Sequence, residues 1–286
     1  MTEVTLRRAT PEDNVICGQI CYDAFAAINA AHNFPPDLPF VEAAIGVLSM
    51  MFSHPNFYCV VAEQESRIVG SNCLDERAIV SGVGPITVDP TVQNAGAGRK
   101  LMAAAMDRAK EQGAAGVRLV QAAFHNRSLS LYTNLGFDVR EPLECLQGRT
   151  LQRSVAGCSV RAAELADVAG CNALARRVHG FDRGNELEDG IRVGSAKVVE
   201  RDGRVAGYST GLAFFGHSTA ETNTELQALI ASAEGFGGPG ILLPSRNSAL
   251  FRWCLANGLR VVQPMTLMSF GLYNEPAGAW LPSITF

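Results

Sequence analysis

At 286 residues the chain exceeds the usual single-domain size and can bury two cores of ordinary dimensions. Hydrophobic residues make up 47% and charged residues 18%, the proportions of a soluble globular protein, and no run of 18 apolar residues is present to span a membrane. A net charge of −4 argues against a nucleic-acid binder, which would carry a basic face.

The eight cysteines include no Cys-x-x-Cys pair. Cys17, Cys21, Cys59 and Cys73 fall within apolar periodic stretches, so they read as core thiols in a reducing compartment. The five histidines show no metal-ligand spacing. Met1 to Arg8 lacks the charged-then-apolar layout of a signal peptide. A cytoplasmic, metal-free protein is expected.

In chain order, Thr5–Ala9 reads as a strand, stopped by Thr10-Pro11-Glu12-Asp13, which has the residues of a helix start. Apolar positions recur at helical spacing from Val15 to Ala31 and again from Phe40 to Phe52, with a proline-rich break between them. Phe57–Glu63 and Arg67–Leu74 read as a strand pair, and Ala78–Val88 as the next strand. A glycine-rich turn, Gln93-Asn94-Ala95-Gly96-Ala97-Gly98, leads into Arg99-Lys100 and a helix whose apolar stripe is Leu101, Met102, Ala105, Met106 and Ala109. Gly116–Ala123 is a further strand and Ser128–Asn134 a short helix.

A glycine turn feeding a helix start presents free N–H groups and the positive end of the helix dipole, which suits a phosphate. Arg99 and Lys100 strengthen that reading, because cations in a first helical turn oppose the dipole unless an anion sits there. A P-loop would need Gly-x-x-x-x-Gly-Lys-Ser/Thr, and Lys100-Leu101 does not supply it. A dinucleotide fingerprint would need a third glycine, where the chain has Leu101.

Gln93-x-x-Gly96-x-Gly98-Arg99, followed by Leu131-Tyr132-Thr133-Asn134-Leu135-Gly136-Phe137, resembles the pyrophosphate loop and last helix–strand of the GNAT acyl-CoA N-acyltransferases. The resemblance covers roughly residues 4 to 145. It implies a mixed α/β (α+β) fold with acetyl-CoA as co-substrate, held between the splayed strands around Val88 and Val120. Cofactor contacts would come from Ile86, Thr87, Val88, Gln93, Asn94, Ala95, Gly96, Ala97, Gly98, Arg99, Asn126 and Ser128. Tyr132 would protonate the departing thiolate. The general base stays open among Glu63, Asp75, Glu76, a water relay and an amine already neutral.

The remaining half repeats the theme faintly. Val160–Asp167 echoes Leu6–Asp13, Val199–Gly207 echoes Ala62–Gly70, and Asn247 with Trp253 is spaced like Asn126 with Tyr132. A tandem duplication is expected, with a catalytic domain over 1–147 and a degenerate GNAT-like domain over 154–286. The second copy lacks the Gln-x-x-Gly-x-Gly loop. Its Gly235–Gly240 run follows a helical stretch, at the wrong dipole end for phosphate, and reads as a flexible turn. The expected activity is acetyl transfer to a primary amine of a small molecule in a ternary complex, with the second half completing the acceptor side. The alternatives are a non-catalytic acyl-CoA-binding module and a mycothiol-synthase-like tandem acetyltransferase. No nucleic-acid or membrane partner is expected, and monomer and homodimer are both open.

Overall fold

The computed structural model describes residues 3–93 and 96–286. The first half runs β1 (Val4–Arg8), α1 (Asn14–Ala31), α2 (Val41–Ser53), β2 (Phe57–Gln64), β3 (Arg67–Asp75), β4 (Val80–Val83), β5 (Thr87–Val88), α3 (Ala97–Glu111), β6 (Gly116–Ala122), α4 (Asn126–Asn134) and β7 (Asp138–Gln147). Residues 148–158 carry neither strand nor helix. The second half continues with β8 (Ser159–Ala162), α5 (Val168–His179), α6 (Gly184–Arg192), β9 (Lys197–Arg201), β10 (Arg204–Ser209), β11 (Ser218–Ala220), α7 (Asn223–Ala231), β12 (Ile241–Pro244), α8 (Ser248–Ala256), β13 (Arg260–Gly271) and β14 (Ala279–Leu281). The strand expected over Ala78–Val88 is interrupted at Gly84-Pro85, which divides it into β4 and β5.

The two halves begin with the same local device. Arg7 reaches from β1 to both carboxylate oxygens of Asp13, at 2.7 and 2.8 Å, and to Glu63 at 2.9 Å. Arg161 does the same from β8 to Asp167, at 2.7 Å twice, and to Glu200. Each aspartate also accepts the N–H three residues before it, from Thr10 or Glu164, and so fixes the turn into the following helix. The hairpins β2–β3 and β9–β10 both turn through residues of positive φ, Glu65-Ser66 and Asp202-Gly203.

The halves then interlock. One sheet has the order β1-β2-β3-β4-β6-β13-β7-β12, with β5 paired to β3, and the other has β14-β11-β10-β9-β8. β13, from the second half, lies between β6 and β7 of the first, with Leu267 opposite both Val120 and Glu141. β7 in turn lies between β13 and β12 of the second half. Each half has thus placed its last long strand inside the other.

Alternation along these strands sorts the core into faces. Val83, Val117 and Leu119 pack with Met102, Tyr132 and Phe137 beneath α3 and α4. Cys59, Val61 and Cys73 pack with Cys17, Leu48 and Met51 beneath α1 and α2. Val80, Leu143 and Leu267 meet Phe181, Phe214, Trp280 and Phe286 of the second half. Truncating a fully buried side chain such as Leu48 or Leu267 to alanine would cost about 2–5 kcal/mol. All eight cysteines are free, and all but Cys158 are buried.

Candidate functional site

The site begins where two neighbouring strands part. β4 and β6 run parallel and are paired only from Val80–Gly82 to Gly116–Arg118. Beyond Val83 the chain turns at Gly84 and a cis Pro85, and β5 pairs with β3, Thr87 opposite Ser71 and Val88 opposite Gly70. β6 meanwhile continues along β13 to Ala122. A wedge opens between Ile86–Val88 and Leu119–Ala122, with the outer edge of β5 facing it. Ile86 and Val88 pack on the α3 side with Leu101, whereas Thr87 is buried opposite Ser71. Thr87 would therefore meet a ligand in the wedge through its main chain.

The start of α3 lies at the mouth of this wedge. Gly96 caps the helix at φ +85°, a left-handed conformation that favours glycine, and its carbonyl accepts the N–H of Lys100 at 3.1 Å. The N–H groups before Lys100 have no partner within the helix, as at any helix start. A Cβ on Gly98 would lie 3.9 Å from Val88 and 3.8 Å from Leu131, so Gly98 faces the junction of β5 and α4. Asn94 and Ala95, both expected in the cofactor loop, lie outside the described residues. Arg99 is exposed. Lys100 is not aimed at the loop: its Nζ donates to the Val4 carbonyl at 2.7 Å, tying α3 to β1.

Gln93 is braced on both sides. Its Nε2 donates to the Val88 carbonyl at 3.1 Å, and its Oε1 accepts from Arg127 at 2.9 Å. Arg127, one residue beyond Asn126, escaped the sequence reading, although it stands in the same His-Asn-Arg-Ser run. Asn126 is exposed at the first position of α4. Ser128 Oγ lies 2.9 Å from both Gln121 Oε1 and the His125 carbonyl. Burial, then the nearby charge of Arg127, holds the His125 imidazole below its ordinary pKa.

Tyr132 is 7% exposed, packed among Met102, Val117 and Phe137. Burial alone raises its phenol pKa well above 10, so the hydroxyl keeps its proton at neutral pH. The candidate bases are all engaged by arginines. Glu63 accepts from Arg7, Asp75 from Arg77 and Glu76 from Arg108, at 2.9, 2.9 and 2.7 Å. Burial raises the Asp75 pKa against the opposing pull of Arg77.

The corresponding corner of the second half is closed. β14 pairs with β11, Trp280 opposite Thr219, and comes against β12, so the chain's own strand fills the place between those two strands. The starts of α7 and α8 are zipped by reciprocal amide bonds between Asn223 and Asn247, at 2.9 and 2.8 Å. A cleft of about 400 Å³ beside them is lined by the carboxylates Glu141, Glu221 and Glu275 and by Arg246, which is already paired with Glu141 and Glu275, a poor setting for phosphate. Gly237 is pinned to the segment after β10, accepting from Phe214 and donating to Leu212.

The register of the echo also shifts by one. α4 ends through Leu135 and Gly136 (φ +91°), and α8 through Asn257 and Gly258 (φ +87°). Phe137 N donates to Tyr132 O and Leu259 N to Cys254 O, so Cys254 matches Tyr132 and Trp253 matches Leu131. The counterpart of the phenol is a buried thiol, its pKa pushed up to about 12 by desolvation. Trp253 packs in the second half's own core, under Arg153.

Among the described residues no group of three or more metal-ligating side chains comes together, and no helix is long and apolar enough to cross a membrane.

Residues 21–137 match the Acetyltransferase (GNAT) family. No curated protein matches the chain. Among solved structures, a Pyrococcus horikoshii protein provisionally named an acetyltransferase is 18% identical with a TM-score of 0.75, covering 96% of this chain and 94% of its own. A tandem GNAT protein from the clavulanic acid biosynthesis pathway is 15% identical with a TM-score of 0.56, over 98% and 100% of the two chains. A GCN5-related N-acetyltransferase from Sphaerobacter thermophilus is 13% identical with a TM-score of 0.58, over 95% and 96%. At these identities the neighbours establish the fold, and the family match establishes the domain in the first half. The chain carries a GNAT-family acetyltransferase domain within a tandem GNAT fold.

Proposed function

We propose that the chain transfers an acetyl group from acetyl-CoA to the primary amine of a small molecule, in a ternary complex, with catalysis in residues 1–147. The carrying observation is that Gly98 at the start of α3 faces Val88 of β5 and Leu131 of α4, while Tyr132, next on α4, shares a buried cluster with Val83 and Leu119 where β4 and β6 part. The loop from Gln93 to Arg99 would cradle the pyrophosphate with main-chain N–H groups, and the edge of β5 would lie along the pantetheine.

The amine nitrogen attacks the thioester carbonyl carbon, so that a C–N bond forms and the C–S bond breaks. Tyr132, a protonated phenol at neutral pH, gives its proton to the departing sulfur, its burial making it a weaker acid than a free phenol. The proton of the attacking amine leaves through water, or the amine arrives neutral, since Glu63, Asp75 and Glu76 are already held by arginines. Residues 154–286 form a degenerate GNAT-like half that binds no CoA, because β14 fills its strand gap. Its Phe181, Phe214 and Trp280 wall the face of β6 and β13 opposite α3, where the acceptor would approach. The free thiols suit a cytoplasmic setting.

Incubation with acetyl-CoA and an amine panel, read as released thiol and acetylated product, tests this reading. Turnover on a small-molecule amine supports it. The engaged carboxylates favour one rival, an acyl-CoA-binding module without catalysis, and binding with no turnover on any amine would establish that rival.

A further inference from the structure

We propose that Arg118 binds the carboxylate of the acceptor, so that the substrates are small molecules carrying both an amine and a carboxylate. The amine half of this statement rests on the acetyltransferase reading; the carboxylate site stands on the geometry of Arg118.

Val117 and Leu119 face α3 and α4, so Arg118 and Val120 face the opposite side, toward the second half. Arg118 is opposite Gly82 at the last paired position before the wedge opens, and Val120 lies roughly 7 Å further along it. The guanidinium is completely buried, at 0% exposure. Neither Nε, Nη1 nor Nη2 finds an acceptor among the described residues. Its neighbours are instead aromatic rings, Phe286 at 4.0 Å, Tyr273 at 5.0 Å and Phe181 at 5.3 Å.

Rings attract a cation through their faces but leave its five N–H donors unused. A buried charge with unused donors is costly unless an anion completes it, and a carboxylate matches the planar fork of arginine in two bonds. The Tyr273 hydroxyl is also buried without a partner, a further donor beside the same group. Arg183 adds positive potential, although its own fork is committed to Glu186 at 2.6 and 2.8 Å. Desolvation and then Arg183 bring the Arg118 pKa down to about 9, which leaves it a cation at neutral pH.

Residues Ser283–Phe286 cover the site. The Thr285 carbonyl lies against Gly82 so closely that any Cβ there would collide with it. The Phe286 ring stacks over Arg118, and the Phe286 main-chain oxygen accepts from Arg183. Ile284 N donates to Phe214 O at 2.7 Å, which hinges the segment on the second half. An acceptor reaching Arg118 displaces the Phe286 ring. Its amine then points up the strand into the wedge, on the side away from α3.

Calorimetry with L-phenylalanine, phenethylamine and 3-phenylpropionate, and with 4-aminobutyrate and butylamine, separates the contributions. Wild type should bind the carboxylates and not the bare amines, and Phe286→Ala should bind them at least about 5-fold tighter by removing the cover. Arg118→Met should lose about 30-fold or more in carboxylate affinity. It should also melt higher than wild type, because an unpaired buried charge is replaced by an apolar side chain of similar length. If the methionine variant does not fold, Arg118→Lys keeps the charge without the fork and should bind at least about 5-fold more weakly. Gly98→Glu should retain carboxylate binding, so failure of the CoA reading and failure of this one are told apart. Equal binding of amines and carboxylates, an Arg118→Met affinity like wild type, or no carboxylate binding to wild type or Phe286→Ala overturns the proposal. Binding of 3-phenylpropionate without any of the amino carboxylates overturns the acceptor assignment.

Discussion

Arg127 donates from Nη1 to Gln93 Oε1 at 2.9 Å, and this bond joins the start of α4 to the loop before α3. Gln93 passes the link on to the Val88 carbonyl, so loop, strand edge and helix are held by one amide. Arg127→Ala should free Gln93 and lower CoA affinity about 3- to 10-fold, the scale of one charge-assisted hydrogen bond. The exposed position of Arg127 means that the melting temperature should stay within about 2 °C of wild type. Calorimetric titration beside a melting curve checks both, and an unchanged affinity would detach the bridge from cofactor binding.

Gly98 allows stability and binding to be separated. A Cβ there meets Val88 and Leu131 only at ordinary contact distance, and alanine favours a helix over glycine by about 1 kcal/mol. Gly98→Ala should therefore be at least as stable as wild type and keep CoA affinity within about 3-fold, because the methyl group packs toward Val88 and Leu131, whereas the longer, charged side chain of Gly98→Glu should abolish binding; calorimetry beside a melting curve checks both. Gly96 is the less informative site, since any side chain at φ +85° is strained before a ligand arrives.

For Tyr132 the sign follows from its burial. Its folded-state pKa is raised, so the phenol stays protonated through pH 10, the range in which an unfolded tyrosine begins to ionise. The turnover number should show no basic limb from this residue below about pH 10. Tyr132→Phe should cut turnover about 10-fold or more while acetyl-CoA affinity changes less than about 2-fold. Equal turnover in the phenylalanine variant would leave Tyr132 a core residue.

The duplicated corners carry an acid-labile contribution. Hydrogen bonds from Arg7 and Arg161 lower the pKa of Asp13 and Asp167. The stability they add is complete above the unfolded aspartate pKa and is lost as pH falls through the depressed folded value. Both arginines are partly exposed, so solvent screening keeps each contribution at about 1 kcal/mol. Asp13→Asn and Asp167→Asn should each lower stability by that amount at pH 7, add independently, and lose their effect progressively as pH falls below 3.8 toward the depressed folded value. Urea denaturation at pH 7 and pH 3 measures it.

Local chemistry was legible in the sequence because it repeats or punctuates. Thr10-Pro11-Glu12-Asp13 announced a helix start, and the Arg7–Asp13 and Arg161–Asp167 spacings marked the duplication. The interleaving of β7 and β13 was not legible. The strand Arg260–Gly271 was not read from the sequence, and equally apolar neighbours on either side do not say between which two strands it goes. Trp253 was matched to Tyr132 by counting from Asn247, whereas the helix ends at Gly136 and Gly258 set the register one residue later. Lys100 looked like an anion ligand from its place in the first turn, but its long side chain reaches β1. Arg118 was hidden by its apolar neighbours, and only the burial of its unpaired donors singles it out.

One cofactor site per chain, in the first half, is the centre of this account. Titrating CoA into the intact chain by calorimetry should give one site, abolished by Gly98→Glu with the circular dichroism spectrum unchanged. A stoichiometry of two, or a single site that survives Gly98→Glu, would contradict it.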